Sequence, residues 1–245
     1  MFLFHRGRAN TSPSQLKKVT IHGKKNNYRV RIPKNELSRI KKIFSHHDYA
    51  IPKDFLTNKT LIVVDVGANV GLFALYMKLI RPGSIIHCFE PVPTTVELLQ
   101  ANIGYMSDFY IYPFGLSNCN QKVAMALHPF NTGQNSIKFT SPLQSEQKIE
   151  ISLCDAAETM ERIQLHTIDI LKIDTEGCEV EILESLQSML DGVGIVIVEY
   201  HSNKDRRRID QLLSQFHLIG AKVAKPERGV LKYIHGRFVS PSVPE

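Results

Sequence analysis

Apolar and polar positions change rhythm several times along the chain, and each change marks an element. Residues 18–32, KVTIHGKKNNYRVRI, alternate on either side of a polar GKKNN, which predicts a hairpin. From Glu36 the apolar positions Leu37, Ile40, Ile43 and Phe44 recur at helical spacing up to a stop near Pro52. Residues 1–16 mix Ser, Asn, Pro and Arg without a period and are expected to be loose.

After Thr60 the pattern becomes regular. A strand over 61–65 is followed by a helix from about Val70, which Pro82-Gly83 stops. The strand IIHCF, 85–89, precedes a helix over 94–103, where Thr94 and Glu97 stand at capping-box spacing. FYIYPF, 109–114, is a third strand, and residues 120–153 alternate irregularly, as an excursion of short strands. ILKID, 170–174, leads into a helix with Val180, Leu183, Leu186 and Leu190 on one face. GIVIVEY, 194–200, is a continuous apolar run of the kind that parallel sheets bury on both faces. A helix over 205–216 places Ile209, Leu212, Leu213 and Phe216 on one side, and AKVAKPERGVLKYI closes the chain as a hairpin around Glu227-Arg228-Gly229. Strand and helix alternating from 61 to 216 predict an α/β fold: a mostly parallel sheet with right-handed crossovers and helices on both faces. The closing hairpin adds one antiparallel strand.

In such sheets ligands sit beyond the carboxyl ends of the strands. Asp65, Glu90, Gly115, Asp174 and Glu199 all fall at strand ends. The stretch LIVVDVGANVGLF, 61–73, runs from a strand through a loop into a helix. Gly67 and Gly71 would let a ligand approach the backbone there, with Ala68 and Asn69 between them. Glu90 lies 19 residues beyond Gly71, the spacing expected of an acid on ribose hydroxyls. A dinucleotide loop needs G-x-G-x-x-G so that backbone N–H groups cradle a pyrophosphate. This loop reads D-x-G-x-x-x-G, one glycine short, and Asp65 would repel phosphate. A cationic ligand without phosphate fits better, and S-adenosylmethionine, with an ammonium, a sulfonium and a ribose, has that character.

Composition narrows the setting. The chain has 245 residues, 43% hydrophobic, enough for one large domain and without a run long enough to span a membrane. MFLFHRGR lacks the apolar stretch of a signal peptide, and the four cysteines form no CxxC pair or Cys/His cluster, so a reduced, cytoplasmic protein without zinc is expected. The formal charge of +6 is unevenly placed: residues 1–60 carry 14 Lys+Arg against 3 Asp+Glu. That basic front end would suit an anionic partner, or is a solvated face.

VDVGANVG (64–71), CFEP (88–91), LKIDTEGCEVEIL (171–183) and IVEYH (197–201), in this order, resemble the FkbM-type methyltransferases, which are class I, S-adenosylmethionine-dependent enzymes. The resemblance covers roughly 60–235. D-x-G-x-x-x-G is shared by most class I methyltransferases, whereas K-I-D-x-E-G-x-E is much more specific. It implies a Rossmann-like sheet of order 3-2-1-4-5-7-6 and methyl transfer to oxygen, often on sugars or natural products. It also divides the chain into a basic extension with a cofactor-covering helix, 1–59, and a methyltransferase domain, 60–240. Asp65, Gly67, Ala68, Asn69, Gly71, Glu90 and Asp174 become the cofactor set, with Ser117 added because Gly115-Leu116-Ser117-Asn118 follows the third strand, where these enzymes contact adenine. Many of them carry an acid at that place, and this chain does not.

An alcohol acceptor must lose a proton as its O–C bond forms, so a general base is wanted. His201, Asp174, Glu176 and Glu199 are the candidates, with Glu176 also placed to cap the following helix. Three carboxylates near one point offer hard oxygen ligands to Mg²⁺, although no spacing demands a metal. Lys172 reads as a strand-edge charge, Tyr49 as a lid over the methionine end or an anchor for its helix, and Arg206, Arg207 and Arg208 as a solvated helix face. Asn131 to Asn135, NTGQN, reads as a turn that would otherwise reach over the acceptor pocket. The expected partner is a small-molecule hydroxyl acceptor, and pairing with a second copy as a homodimer stays open. RNA methylation is disfavoured, because DTEG stands where base-modifying enzymes carry an N/D-P-P-Y/F motif, and nucleic acid is therefore not the expected partner. A non-catalytic nucleotide-binding adaptor is the remaining alternative.

Overall fold

A computed structural model describes residues 16–23, 26–45, 49–55, 60–128, 135–138 and 148–239. The chain opens with an antiparallel hairpin, β1 (Leu16–His22) and β2 (Asn27–Pro33), and a short helix α1 (Ser38–Phe44). There follow β3 (Ile62–Val66), α2 (Leu72–Ile80), β4 (Ile85–Phe89), α3 (Pro93–Ile103), β5 (Phe109–Tyr112), β6 (Gly115–Ser117) and β7 (Gln121–Ala126). The second half comprises β8 (Lys148–Asp155), α4 (Ala156–Arg162), β9 (Ile168–Ile173), α5 (Glu179–Ser185), β10 (Val193–Tyr200), α6 (Asn203–Leu212), β11 (Phe216–Lys225) and β12 (Arg228–His235).

Among the described residues, seven strands form one sheet in the order β5-β4-β3-β9-β10-β12-β11. Numbered along the chain within this sheet alone, the order is 3-2-1-4-5-7-6. Only β12 runs against its neighbours, pairing antiparallel with both β10 and β11. The pleat sends alternate residues of β3 to opposite faces. Val64 and Val66 join the core under α4, α5 and α6, and Val63 joins the core shared with α1, α2 and the β1–β2 hairpin. β10, covered on both faces, reads as a continuous apolar run up to Val198, whereas β9 carries Asp169 and Lys172.

The front end is not peripheral. Ile21, Val30, Ile32 and Ile43 are buried in the same core as Leu75 and Met77 of α2. Asn102 of α3, 1% exposed, accepts from the Arg31 N–H at 2.7 Å and donates to the carbonyls of Arg31 and Val70. One amide thus ties the hairpin to the loop after β3.

Several details depart from the sequence pattern. Helix α3 starts at Pro93 with Val92 at its N-cap and no side-chain cap, so Thr94 and Glu97 form no capping box. Proline fits the first helical position, and the Val92 N–H is already taken by Glu90 at 3.0 Å. Helix α6 ends at Leu212, and Phe216 opens β11 while packing into the same core. Helix α4 does not stand out in the sequence because it has seven residues; Asp155 caps it, accepting from the Glu158 N–H at 2.9 Å. The segment 120–153 contributes β7 and β8, which pair with β6 in a separate three-stranded sheet. Asn131 to Thr132 and the remainder of NTGQN before Asn135 lie outside the described residues, as do residues 1–15. Among the described residues no helix is long and apolar enough to cross a membrane.

Candidate active site

Three cavities converge on Gly67. The first, about 370 Å³, is lined by Glu90, Asn69, Arg39, Asp174, Thr175 and Glu176, among others. The second, about 280 Å³, lies towards α1 and is lined by Arg39, Tyr49, Ala68, Phe73, Lys172 and Asp174. The third, about 310 Å³, is apolar, with Pro91, Gly115, Leu116, Met125, Ile137 and Leu153 in its wall. Together they open at the carboxyl ends of β3, β4 and β9, where the order of the sheet reverses.

The loop after β3 satisfies its own backbone. The N–H groups of Gly67 and Ala68 both donate to the Phe89 carbonyl at 3.0 Å, and that of Gly71 donates to the Ala68 carbonyl. The Asn69 N–H donates to Glu90 at 3.0 Å, and the Val70 N–H to the Asn69 side chain at 2.7 Å. All five amides from 67 to 71 therefore have partners within the protein. A pyrophosphate cradle, which needs such amides to point at the ligand, is not built here.

The glycines serve chain-to-chain contact. Gly67 has φ +74°, and a Cβ there would lie 1.8 Å from the Asp174 carbonyl oxygen. A Cβ on Gly71, φ +86°, would meet Leu99 at 2.9 Å, so this residue fits α2 against α3 and lines none of the three cavities. Gly67, Ala68 and Asn69 do line them.

Asp65 lies beneath the loop, fully buried, 2.9 Å from the Lys172 ammonium. Burial pushes its pKa up, against the pull of Lys172. Lys172 is thus no strand-edge charge. It is 3% exposed on β9, between β3 and β10, and donates to the Gly67 carbonyl at 2.8 Å. Asp65 lines none of the three cavities and acts on the loop through Lys172. Glu90, 6% exposed, accepts from the Asn69 and Val92 amides. Its pKa is raised to about 7, by burial first, while those two N–H bonds pull it down. Ser117 is buried in β6 beside Cys178 and lines none of the cavities; its neighbours Gly115 and Leu116 do.

An acid-rich rim gathers where β9 and β10 end. Asp174 lines two cavities and donates its N–H to the Val66 carbonyl. Burial raises its pKa, yet Lys172, Arg39, His201 and Arg228 outweigh that and hold it below the usual carboxylate range. Glu176, at φ +56°, meets Arg228 at 2.6 Å and His201 at 3.0 Å, so it faces the rim and does not cap α5. Glu199 pairs with Arg228 at 2.9 Å, and burial with the nearby Asp174 charge raises its pKa to about 7.

His201 differs most from expectation. Its Nε2 faces Glu176 at 3.0 Å and Glu199 at 3.7 Å, and its Nδ1 faces Glu179 at 3.3 Å. Burial opposes the charged form, but the two carboxylates hold the ring protonated, with the pKa raised to about 11. An imidazolium at neutral pH has no lone pair with which to accept a proton, which removes the ground for reading it as the base.

Three residues of the site escape the sequence reading. Glu179 is 1% exposed and accepts from Thr175 and Gly177. It belongs to the K-I-D-x-E-G-x-E segment, which offered the signal. Arg228 arrives from the closing hairpin, and Arg39 from α1, 4.0 Å from Asp174. Tyr49 packs on Phe73, ring centroids 5.4 Å apart, and lines the second cavity. Arg206 and Arg208 pair with Asp210 and Glu184 at the surface.

Asp174, Glu176, Glu199 and His201 offer ligand atoms within 4.8 Å of one another, as a metal centre would. The donor set does not fit Mg²⁺. Arg228 and the His201 imidazolium already supply positive charge to Glu176 and Glu199, and a divalent cation would have to displace them.

Comparison with known proteins bears on the family and the fold. The Methyltransferase FkbM domain matches residues 65–222. Methyltransferase 1 of Beauveria bassiana is 25% identical over 162 residues, covering 58% of this chain and 65% of that protein. The hexuronic acid methyltransferase AglP of Haloferax volcanii is 27% identical over 158 residues, covering 64% of this chain and 63% of that protein. The chain thus spans slightly less than two thirds of the length of these curated relatives. Among solved structures, fibrillarin of Aeropyrum pernix, in complex with natively bound S-adenosyl-L-methionine, superposes with a TM-score of 0.52 at 13% identity. That match covers 89% of this chain and 82% of the other, and shows the class I methyltransferase fold. With the FkbM domain matching more than half its length, the chain belongs to the FkbM methyltransferase family.

Proposed function

We propose that the chain is an S-adenosylmethionine-dependent O-methyltransferase acting on a hydroxyl of a sugar or natural-product-type small molecule. The observation that carries the donor is the self-satisfied loop: five amides with internal partners leave no phosphate cradle, while Glu90 and Asn69 remain beside the cavity. When bound, the donor supplies a methyl group already activated by positive sulfur. Glu90 would take the ribose hydroxyls on lone pairs that its two N–H bonds leave over, and the apolar third cavity suits an adenine. The first and second cavities, which share Arg39, Asn69 and Asp174, would hold the methionine end and the acceptor.

On the acceptor side, two carboxylates have environments that push their pKa values apart, a pattern that separates acid–base roles. Asp174 stays ionised and would orient the acceptor hydroxyl. Glu199, raised to about 7, would take its proton. The donor would supply the methyl by giving up its S–C bond, whose electron pair stays on sulfur, and Glu199 would receive the proton that the acceptor hydroxyl loses. The main contribution of the protein is alignment, since the donor is already activated.

The family relation supports methyl transfer, and the relative AglP, a hexuronic acid methyltransferase, supports a sugar acceptor. The test is transfer of labelled methyl from S-adenosylmethionine to a panel of saccharides and hydroxylated natural products, with a polynucleotide arm and with EDTA. Transfer to a small hydroxyl, insensitive to salt and EDTA, is expected. Transfer only to RNA would overturn the acceptor, and donor binding without transfer to any arm would favour an adaptor.

A further inference from the structure

Glu179 holds four groups at one oxygen. Its Oε1 accepts from the Thr175 N–H, the Thr175 hydroxyl and the Gly177 N–H, each at 3.1 Å, and lies 3.3 Å from His201 Nδ1. The turn it holds is unusual. Glu176 and Gly177 both have positive φ, 56° and 130°, a combination that persists for a non-glycine residue only where the surroundings fix it. That turn aims the Glu176 carbonyl at the Ser136 hydroxyl, 2.6 Å away, and the Glu176 carboxylate at His201 and Arg228. His201 thereby has a carboxylate near each ring nitrogen, from acids three residues apart in sequence.

We propose that Glu179 is a positioning residue of the acceptor side: by joining the 175–177 turn to the Nδ1 edge of His201, it fixes where Glu176 and Glu199 stand relative to Asp174. The catalytic consequence rests on the function proposed above, but the geometry does not. With carboxylates 3.0 Å from Nε2 and 3.3 Å from Nδ1, the ring is held in its charged form. Around it stand Glu176 from the turn, Glu179 from α5, Glu199 from its own strand, Asp174 from β9 and Arg228 from β12. Its charge pulls down the pKa values of both Asp174 and Glu199. Removing the Glu179 charge would therefore loosen the ring and weaken its hold on the proton. With the ring neutral, Glu199 would ionise only at higher pH.

Glu179→Gln keeps the size and an accepting oxygen while removing the charge. Histidine-labelled protein would be followed by NMR from about pH 6 to 9, with the His201 signal identified by its absence in His201→Gln. In the native protein the ring signal stays constant across this window; in Glu179→Gln it titrates within it. Kinetics supply the second readout, in which the acidic limb of kcat moves up by about one pH unit while KM for S-adenosylmethionine stays within about threefold. A native ring that titrates near neutrality, or a Glu179→Gln ring that stays fixed, overturns the proposal. A native ring that titrates near neutrality overturns it even if Glu179→Gln does not fold. The NMR arm needs no turnover, so failure of the proposed activity would leave its outcome intact and separately readable.

Discussion

Two loops meet over Gly67, and they are built in opposite ways. The loop from 67 to 71 has every amide bonded, to Phe89 and Glu90 at the end of β4 and to its own Asn69 and Ala68, and buried Asp65 beneath it is matched by buried Lys172. In the turn from 174 to 179, Glu179 holds the Thr175 and Gly177 amides from within, while Asp174, Glu176 and Glu179 face the positive groups of Lys172, His201 and Arg228. The first is a rigid platform whose electrostatics are settled before any ligand arrives. The second is a balance of charges in which removing any one shifts the rest. On the function proposed above, the comparison teaches that the donor side would depend on shape and the acceptor side on charge.

The largest break in this contrast is Gly67→Ala. Its Cβ would overlap the Asp174 carbonyl at a φ that side chains rarely adopt, so the platform fails by sterics alone. Donor affinity should fall by more than about 100-fold, or the protein should melt far below the native form. Native affinity in calorimetry would refute the tight approach of the two loops. Next is Lys172→Met, which leaves Asp65 buried without its partner and should cost about 3–5 kcal/mol of stability by denaturant unfolding. A loss under 1 kcal/mol would return Lys172 to the role of a peripheral charge.

The acceptor side should respond in rate. Glu199→Gln should lower kcat by about 100-fold or more, with donor affinity within a few-fold. A collapse of donor affinity instead would move Glu199 to the scaffold. The pH profile sharpens the same point. A base works when deprotonated, so kcat should rise with pH through about 7, the pKa of Glu199, and a profile that falls there would argue against it. His201 bears on stability with a definite sign. Its folded pKa, about 11, exceeds the unfolded value, so its contribution is full below about pH 6.5 and is lost as pH rises towards 11. The smallest effect belongs to Arg206→Ala, an exposed pair with Asp210, which should change stability by less than about 1 kcal/mol.

What the sequence made legible follows the same division. The strand–loop–helix at 62–80, the strand at 85–89 and Glu90 are local patterns, and local patterns survive folding. Gly67 and Asn69 were found at the loop for that reason, although the need for Gly67 comes from Asp174, more than a hundred residues away. Lys172 was misread because alternation tells which way a side chain points, not whether its strand is central. His201 looked like a base because its neutralising acids come from another element, and nothing near it in sequence announces Glu179. Arg228 could not be read at all: its place follows from β12 pairing antiparallel with β10.

The central claim is that the platform at Gly67 takes a phosphate-free methyl donor, and calorimetry on the purified chain with S-adenosylmethionine, against NAD, tests it most directly. The account predicts micromolar binding of S-adenosylmethionine, on the order of −8 kcal/mol, and none of NAD. Binding of NAD, or no binding of S-adenosylmethionine by a well-folded sample, would contradict it.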